Sequence, residues 1–456
     1  MVFSSLTFLF FFLPLVLSMY YIFPNKLKNF ILLLFSLLFY SWGEPKYIWI
    51  MVFSSIVDFI HAKIIDKNRG NIKSKIALCS SIIINLSLLF YFKYLAFFLD
   101  TSNSIFGTDF IIPSIVLPIG ISFYTFQTMS YSIDVYLNNA KVQSNFISFA
   151  AYVSLFPQLV AGPIVRYKDV AEELDNRKHT FDNLYEGISL FIIGLGKKVI
   201  FANNMGLIWT YVKSTDISSI STLTAWLGII AFALQIYFDF SGYSEMAIGL
   251  GKMFGFNFCK NFDYPYISKS ITEFWRRWHM SLGQWFRDYV YIPLGGNRCS
   301  KRRWLFNIFI VWMITGLWHG AGVNFILWGL YFALILIIEK LFLLKYLDKL
   351  PNFIKHLYSL ILIINGWVLF ELFDFNSITA YFKAMYLNNT FIDSTFIYLI
   401  SQNLIILILT ILASTPIFKK LLKNEYIKFT VLIISFFISI AFLVDASFNP
   451  FLYFRF

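Results

Sequence analysis

Within the stretch EFWRRWHMSLGQW, residues 273–285, a carboxylate, two guanidinium groups and an imidazole fall inside seven positions. Groups of this kind can hold an anionic substrate, move a proton and steady a developing oxyanion. A second histidine, His319, stands in TGLWHGAGVNFILWGLYFA, flanked by Gly316, Gly320, Ala321 and Gly322. Imidazole titrates near neutral pH and is the usual proton acceptor there. Small neighbours let a second helix or a ligand come close to the ring. On a continuous helix Glu273 would pair with Arg276 or Arg277, and Arg276 would share a face with His279. The stretch therefore predicts an amphipathic helix at the cytoplasmic membrane interface, with Trp275, Trp278 and Trp285 as interfacial rings. Two readings stay open at each feature. The arginines and tryptophans serve an anchor or a site, and His319 is a helix–helix hydrogen-bonder or a catalyst.

The elements that must position these groups are apolar. The chain has 456 residues, 58% of them hydrophobic, with 55 Phe and only 14% charged residues. Soluble domains carry about 25% charged residues, and this one could not hide so much apolar surface. Apolar runs of about 20 residues recur from end to end, near 1–23, 29–42, 46–60, 76–99, 111–137, 146–163, 184–210, 223–238, 240–258, 304–318, 322–344, 357–373, 396–417 and 427–447. The expected fold is an all-α integral membrane protein of about 11–13 transmembrane helices, with re-entrant or interfacial helices, in one continuous domain over 1–456. Long continuous runs disfavour a β-barrel.

The net charge of +12 sits in short loops between apolar runs, a pattern set by insertion and anionic lipid rather than by nucleic acid. Lys63, Lys67, Arg69, Lys73 and Lys75 place one loop in the cytoplasm, and Lys26 and Lys28 then share that side. The 100–110 loop, with Asp100 and Asp109 and no Lys or Arg, belongs outside. Lys301, Arg302 and Arg303 mark another cytoplasmic loop, as do Lys419, Lys420, Lys423 and Lys428. Both termini are then expected outside. The start lacks a basic n-region and a cleavage site, and so reads as a retained helix. Cys79, Cys259 and Cys299 make neither a disulfide framework nor a metal spacing, and no residue is assigned to a metal.

Two further stretches are polar for their setting. YFDFSGYSEMAIGLGKMFGFN carries Asp239, Ser241, Tyr243 and Glu245, read as structural hydrogen bonding and cavity lining. SLFPQLVAGPIVRY carries Pro157, Gly162 and Pro163, which open the backbone where only protein or a wet cavity tolerates it. Phosphate-loop, HExxH, GxSxG and CxxC motifs are absent, which disfavours a nucleotide-driven pump and a zinc protease.

Taken in order, EFWRRWHMSLGQWFRDYVYIPLGGNR, LWHGAGVNFILWGLYFA, YFDFSGYSEMAIGLG, FPQLVAGPIVR and the terminal FLYFRF resemble the membrane-bound O-acyltransferase family, in its bacterial branch of alginate and peptidoglycan O-acetyltransferases. The resemblance runs from about residue 40 to the end. It implies a ring of helices around a thin polar centre in a bacterial inner membrane. It implies His319 as catalytic base, His279 as the second characteristic position and acetyl-CoA as donor from the cytoplasm. Arg276 would orient the acceptor or steady the oxyanion, and Arg298 and Arg302 would attract the CoA phosphates. The 449–456 tail would be an acyl relay accepting on Tyr453; without the resemblance it reads as an aromatic anchor. The implied partner is an extracytoplasmic SGNH-type protein that decorates a polysaccharide, with membrane lipid around the chain and no nucleic acid. The rival is a transporter or flippase for a lipid-linked sugar, although matching interrupted helices in two halves are not apparent. An assembly scaffold would leave the buried histidines unexplained.

Overall fold

The computed structural model describes residues 2–159, 162–445 and 452, apart from the side chains at 420 and 421. Among the described residues the structure is all-helical, without strands. Seven helices among the described residues are long and apolar enough to cross a membrane: Ile48–Lys67, Ile72–Phe106, Thr222–Met253, Val323–Leu347, Asn352–Glu371, Ser394–Ala413 and Glu425–Asp445. Phe8–Ile22 is apolar but shorter. The apolar side chains of the last two helices stay exposed, as with Ile405 and Phe437, which lipid rather than water would cover.

Two apolar segments that the sequence divides at Asp239 form one helix, Thr222–Met253. The reason is local: Lys198 Nζ lies 2.6 Å from Asp239 Oδ1, with both side chains buried, so the carboxylate is compensated without leaving the helix. The 111–137 segment does the reverse. Pro113 and Pro118 keep 107–120 out of helix, and Ile121–Tyr136 begins only after Gly120, whose φ is 76°.

The chain forms two compact units, residues 1–191 with 243–259, and residues 192–242 with 260–456. In the first, helices Ile48–Lys67, Ile72–Leu89 and Ile121–Tyr136 meet around one buried carboxylate. Asp58 accepts hydrogen bonds from Ser81, from Asn85 Nδ2 at 2.7 Å and from Ser132 Oγ at 2.9 Å. Polar side chains of this kind join helices where apolar packing gives no preference over lipid. In the second unit, helices Lys301–His319 and Val323–Ile338 cross closely: a Cβ on Gly316 would lie 2.3 Å from the Phe325 carbonyl oxygen, and one on Gly329 2.6 Å from that of Trp312. This crossing presents His319.

Candidate active site

The 273–285 stretch is two short helices rather than one. Ile271–Arg277 ends, Trp278 and His279 turn the chain, and Met280–Phe286 begins. His279 sits at the break in left-handed backbone, φ 44° and ψ 55°, a conformation that costs an L-residue about 1–2 kcal/mol. Asn261 holds it there. Its carbonyl oxygen accepts the Met280 N–H at 2.9 Å. Its Oδ1 accepts from the Ser281 N–H at 3.2 Å, Ser281 Oγ at 2.9 Å and His279 Nδ1 at 3.1 Å. The expected face shared by Arg276 and His279 is therefore lost, because the helical spacing stops between them.

The Glu273–Arg277 ion pair does form, at 2.9 Å, and Arg277 also donates to the Asp263 carbonyl. Arg277 thus braces the turn while Arg276 is exposed. At the other end, fully buried Glu339 accepts from the backbone N–H groups of Ile271 (2.7 Å) and Thr272 (2.8 Å), from Thr272 Oγ1 and from Tyr358. A carboxylate at a helix N-terminus satisfies donors that have no partner within the helix. Trp278 and Trp285 are 4% exposed, so they are core rings rather than an interfacial belt. Trp278 packs against Trp367 with ring centres 4.8 Å apart, and Trp275 against Trp312 at 4.7 Å.

These contacts assign the His279 tautomer. Oδ1 of Asn261 receives a backbone N–H, so it is the amide oxygen, and Nδ1 of His279 must bring a hydrogen to it. The lone pair is then on Nε2, which is buried and has no hydrogen-bond partner among the described residues. Burial pushes this imidazole down to about 3, so it is neutral.

His319 is the last residue of helix Lys301–His319 and is buried, its ring 5.1 Å from that of Trp328 and 5.2 Å from that of Phe370. Phe325 is why a glycine must follow: a Cβ on Gly320 would lie 2.0 Å from its ring. Both histidines line one cavity of about 300 Å³. Its walls include Trp275, Trp278, Trp312, Leu282, Phe286 and Thr315, and its cationic members are Arg287 and Lys340. Arg287 and Tyr291 lie on a π-helical turn, Arg287–Tyr291, and Lys340 on another, Glu339–Leu343; such turns recur at functional sites.

Of the residues singled out in the sequence, the structure brings His279 and His319 together. Arg276, Arg298 and Arg302 are exposed and do not line this cavity. Tyr453 lies outside the described residues. Its neighbour Leu452 is described: buried, with its N–H donating to Asp239 Oδ2 at 2.8 Å. Asn261, Arg287, Lys340 and Glu339 were missed. Arg287 lies inside the quoted EFWRRWHMSLGQWFRDYVYIPLGGNR stretch but was not singled out in it, and Glu339-Lys340, a charged pair ending a long apolar run, also gave a signal; Asn261 gave none.

The membrane-bound O-acyltransferase family profile matches residues 37–363. The chain is 41% identical to the probable alginate O-acetylase of Pseudomonas aeruginosa over 85% of this chain and 75% of that one. It is 32% identical to the peptidoglycan O-acetyltransferase of Helicobacter pylori, covering 100% of this chain and 98% of that one. A teichoic acid D-alanyltransferase of Bacillus subtilis is 31% identical over 48% of this chain and 58% of its own. With two buried histidines on one cavity and, among the described residues, seven helices long and apolar enough to cross a membrane, this chain belongs to the membrane-bound O-acyltransferase family and is a multi-pass membrane O-acyltransferase.

Proposed function

We propose that the chain is a bacterial inner-membrane acetyltransferase that takes acetyl from cytoplasmic acetyl-CoA and passes it outward for O-acetylation of a polysaccharide such as alginate or peptidoglycan. The observation that carries this reading is the shared cavity of His279 and His319. Acetyl-CoA is large and anionic and cannot cross a bilayer, whereas a two-carbon acyl group fits a narrow passage between such rings.

His319 acts as general base. It takes the proton of the attacking hydroxyl as that oxygen adds to the thioester carbonyl; the C–S bond breaks, and the sulfur leaves with that proton as CoA thiol. His279, on the wall of the same cavity, positions the acceptor beside that base, and exclusion of water strengthens the interaction with His319. Arg287 and Lys340 meet the phosphates at the cavity, while exposed Arg298 and Arg302, and Arg276 beside them in charge, attract the anion from farther out.

The first acceptor is the Tyr453 phenol, which forms an aryl ester and releases CoA. An acceptor hydroxyl then attacks that ester and regenerates the phenol. The neighbouring Leu452, buried with its N–H on Asp239, supports this acceptor. Both termini are outside, where an SGNH-type partner receives the acetyl group and delivers it to the polymer.

The test is thioester discharge by the purified protein. Release of CoA from acetyl-CoA should fall by about 10²-fold or more in His319→Ala. Tyr453→Phe at normal protein level should lose acetyl transfer. CoA release at the wild-type rate without the His319 ring would overturn the reading and favour transport of a lipid-linked sugar.

A further inference from the structure

The first unit holds cations that the O-acyltransfer site does not use. Lys28 opens helix Lys28–Gly43 and is only 7% exposed. Its Nζ lies 4.9 Å from the Tyr20 ring centre and 5.6 Å from that of Tyr21. Arg177 is placed over the same Tyr20 ring at 5.7 Å and over Phe256 at 4.7 Å. His179 Nε2 is 3.4 Å from Tyr20 Oη, whose own hydrogen goes to the Phe254 carbonyl at 2.7 Å.

The arrangement is braced, and its polar atoms are only partly satisfied. Asn29 donates to the Leu174 carbonyl (2.8 Å) and Ser148 Oγ (2.9 Å), and its Oδ1 takes one arm of Arg177. The other arm, Nη1, is buried without a hydrogen-bond partner among the described residues, and so is His179 Nδ1. Neither Lys28 nor Arg177 forms an ion pair among the described residues. The carboxylate that acts on Arg177, Asp175, is exposed and accepts from Gln143 instead. His179 is lowered to about 4, by burial first and then by Lys28 and Arg177. Buried cations persist when an anion completes them.

We propose that Lys28, Arg177 and His179 form a second site in this chain, for a phosphate group bound between Tyr20, Tyr21 and Phe256. The guanidinium supplies its free arm, the ammonium a point charge, and the aromatic rings a dry wall. A phosphodiester lipid headgroup and the phosphates of a coenzyme share this chemistry. The site is independent of the acetyl-transfer reading, which it neither needs nor supports.

The experiment uses the full chain purified in maltoside detergent and titrated separately with phosphatidylglycerol, coenzyme A and inorganic pyrophosphate. At least one probe should bind the wild type and bind Lys28→Met about 10–100-fold more weakly. Lys28→Met leaves the Asn29–Arg177 brace intact; Arg177→Lys, which keeps the charge and loses the fork, should weaken the same probe. Loss confined to phosphatidylglycerol assigns a headgroup, and loss confined to coenzyme A and pyrophosphate assigns a coenzyme phosphate. If no probe binds the wild type, or if both variants bind as the wild type does, the proposal is overturned.

Discussion

Asn261 Oδ1 accepts a hydrogen bond from Nδ1 of His279 at 3.1 Å, and this contact decides which ring nitrogen carries the lone pair. The same oxygen also takes the N–H and hydroxyl of Ser281, so the turn that strains His279 is the turn that fixes its tautomer.

Asn261→Leu removes the acceptor and frees the imidazole to rotate and exchange tautomers. A small misplacement of a positioning group can cost up to about 10²-fold, and the variant should lose about 10-fold in kcat with little change in KM. Asn261→Asp keeps an acceptor but adds a negative charge beside the ring, which favours imidazolium; its activity should need a higher pH than that of the wild type. The pH–rate profiles of the three proteins check this. A profile for Asn261→Asp that overlays the wild type would exclude Asn261 as the group that sets the ring.

Stability should carry a histidine signature on the acid side. An imidazole in the unfolded chain titrates near 6.5, whereas His279 stays neutral in the fold down to about 3. Above about pH 6.5 neither state takes the proton, and the contribution is fully present. Below it the unfolded state binds a proton that the native state refuses, so stability falls with falling pH by about 1 kcal/mol per unit for each such group. His179, lowered to about 4, adds to the same limb. Thermal melts between about pH 7 and pH 4.5 should show this decline, and His279→Gln should show a shallower one. Equal slopes in the two proteins would mean that His279 is charged in the fold.

Gly316 makes a sharper packing prediction. Its missing Cβ would stand 2.3 Å from a backbone carbonyl oxygen, that of Phe325, which cannot swing aside as a side chain could. Gly316→Ala must push the two helices apart and should destabilise by about 1–3 kcal/mol. Because His319 follows by three residues, CoA release should fall as well. Gly283→Ala is the comparison, with nothing within 4 Å of the new methyl; within a helix it should be neutral or stabilising by up to about 1 kcal/mol. Melting temperatures of the two variants decide it, and equal stability would show that the crossing is looser than its geometry states.

The all-helical membrane class was legible because it rests on apolar length alone, and the two histidines because imidazole is conspicuous among Phe, Leu and Ile. The break at His279 was not legible. Residues 273–285 read as a continuous amphipathic helix, and the group that ends it, Asn261, is remote in sequence and acts through three-dimensional contact. The Thr222–Met253 helix was divided for the same reason: Asp239 looks like a helix-breaking polar site until Lys198 is brought to it. The tryptophans show a third case, since ring size and one N–H suit both a membrane interface and a core, and only packing decides between them.

The cavity cations also escaped the sequence, and they give the last prediction. Clustered basic residues draw the eye to Arg298 and Arg302, yet these are exposed and outside the cavity, where water and salt screen them. Arg287 and Lys340 stand on its wall, and Lys340 is placed by its neighbour Glu339, which is tied to the start of helix Ile271–Arg277. A cation that grips the donor's phosphates equally before and during reaction lowers KM without raising kcat. Lys340→Met should therefore raise KM for acetyl-CoA by about 10-fold while leaving kcat within about twofold, and Arg287→Gln should act in the same direction. Arg298→Gln and Arg302→Gln should change mainly the salt dependence of KM. Steady-state kinetics at low and high ionic strength separate the two pairs. A large KM effect from the exposed pair and none from the cavity pair would move the donor's phosphates out of this cavity altogether.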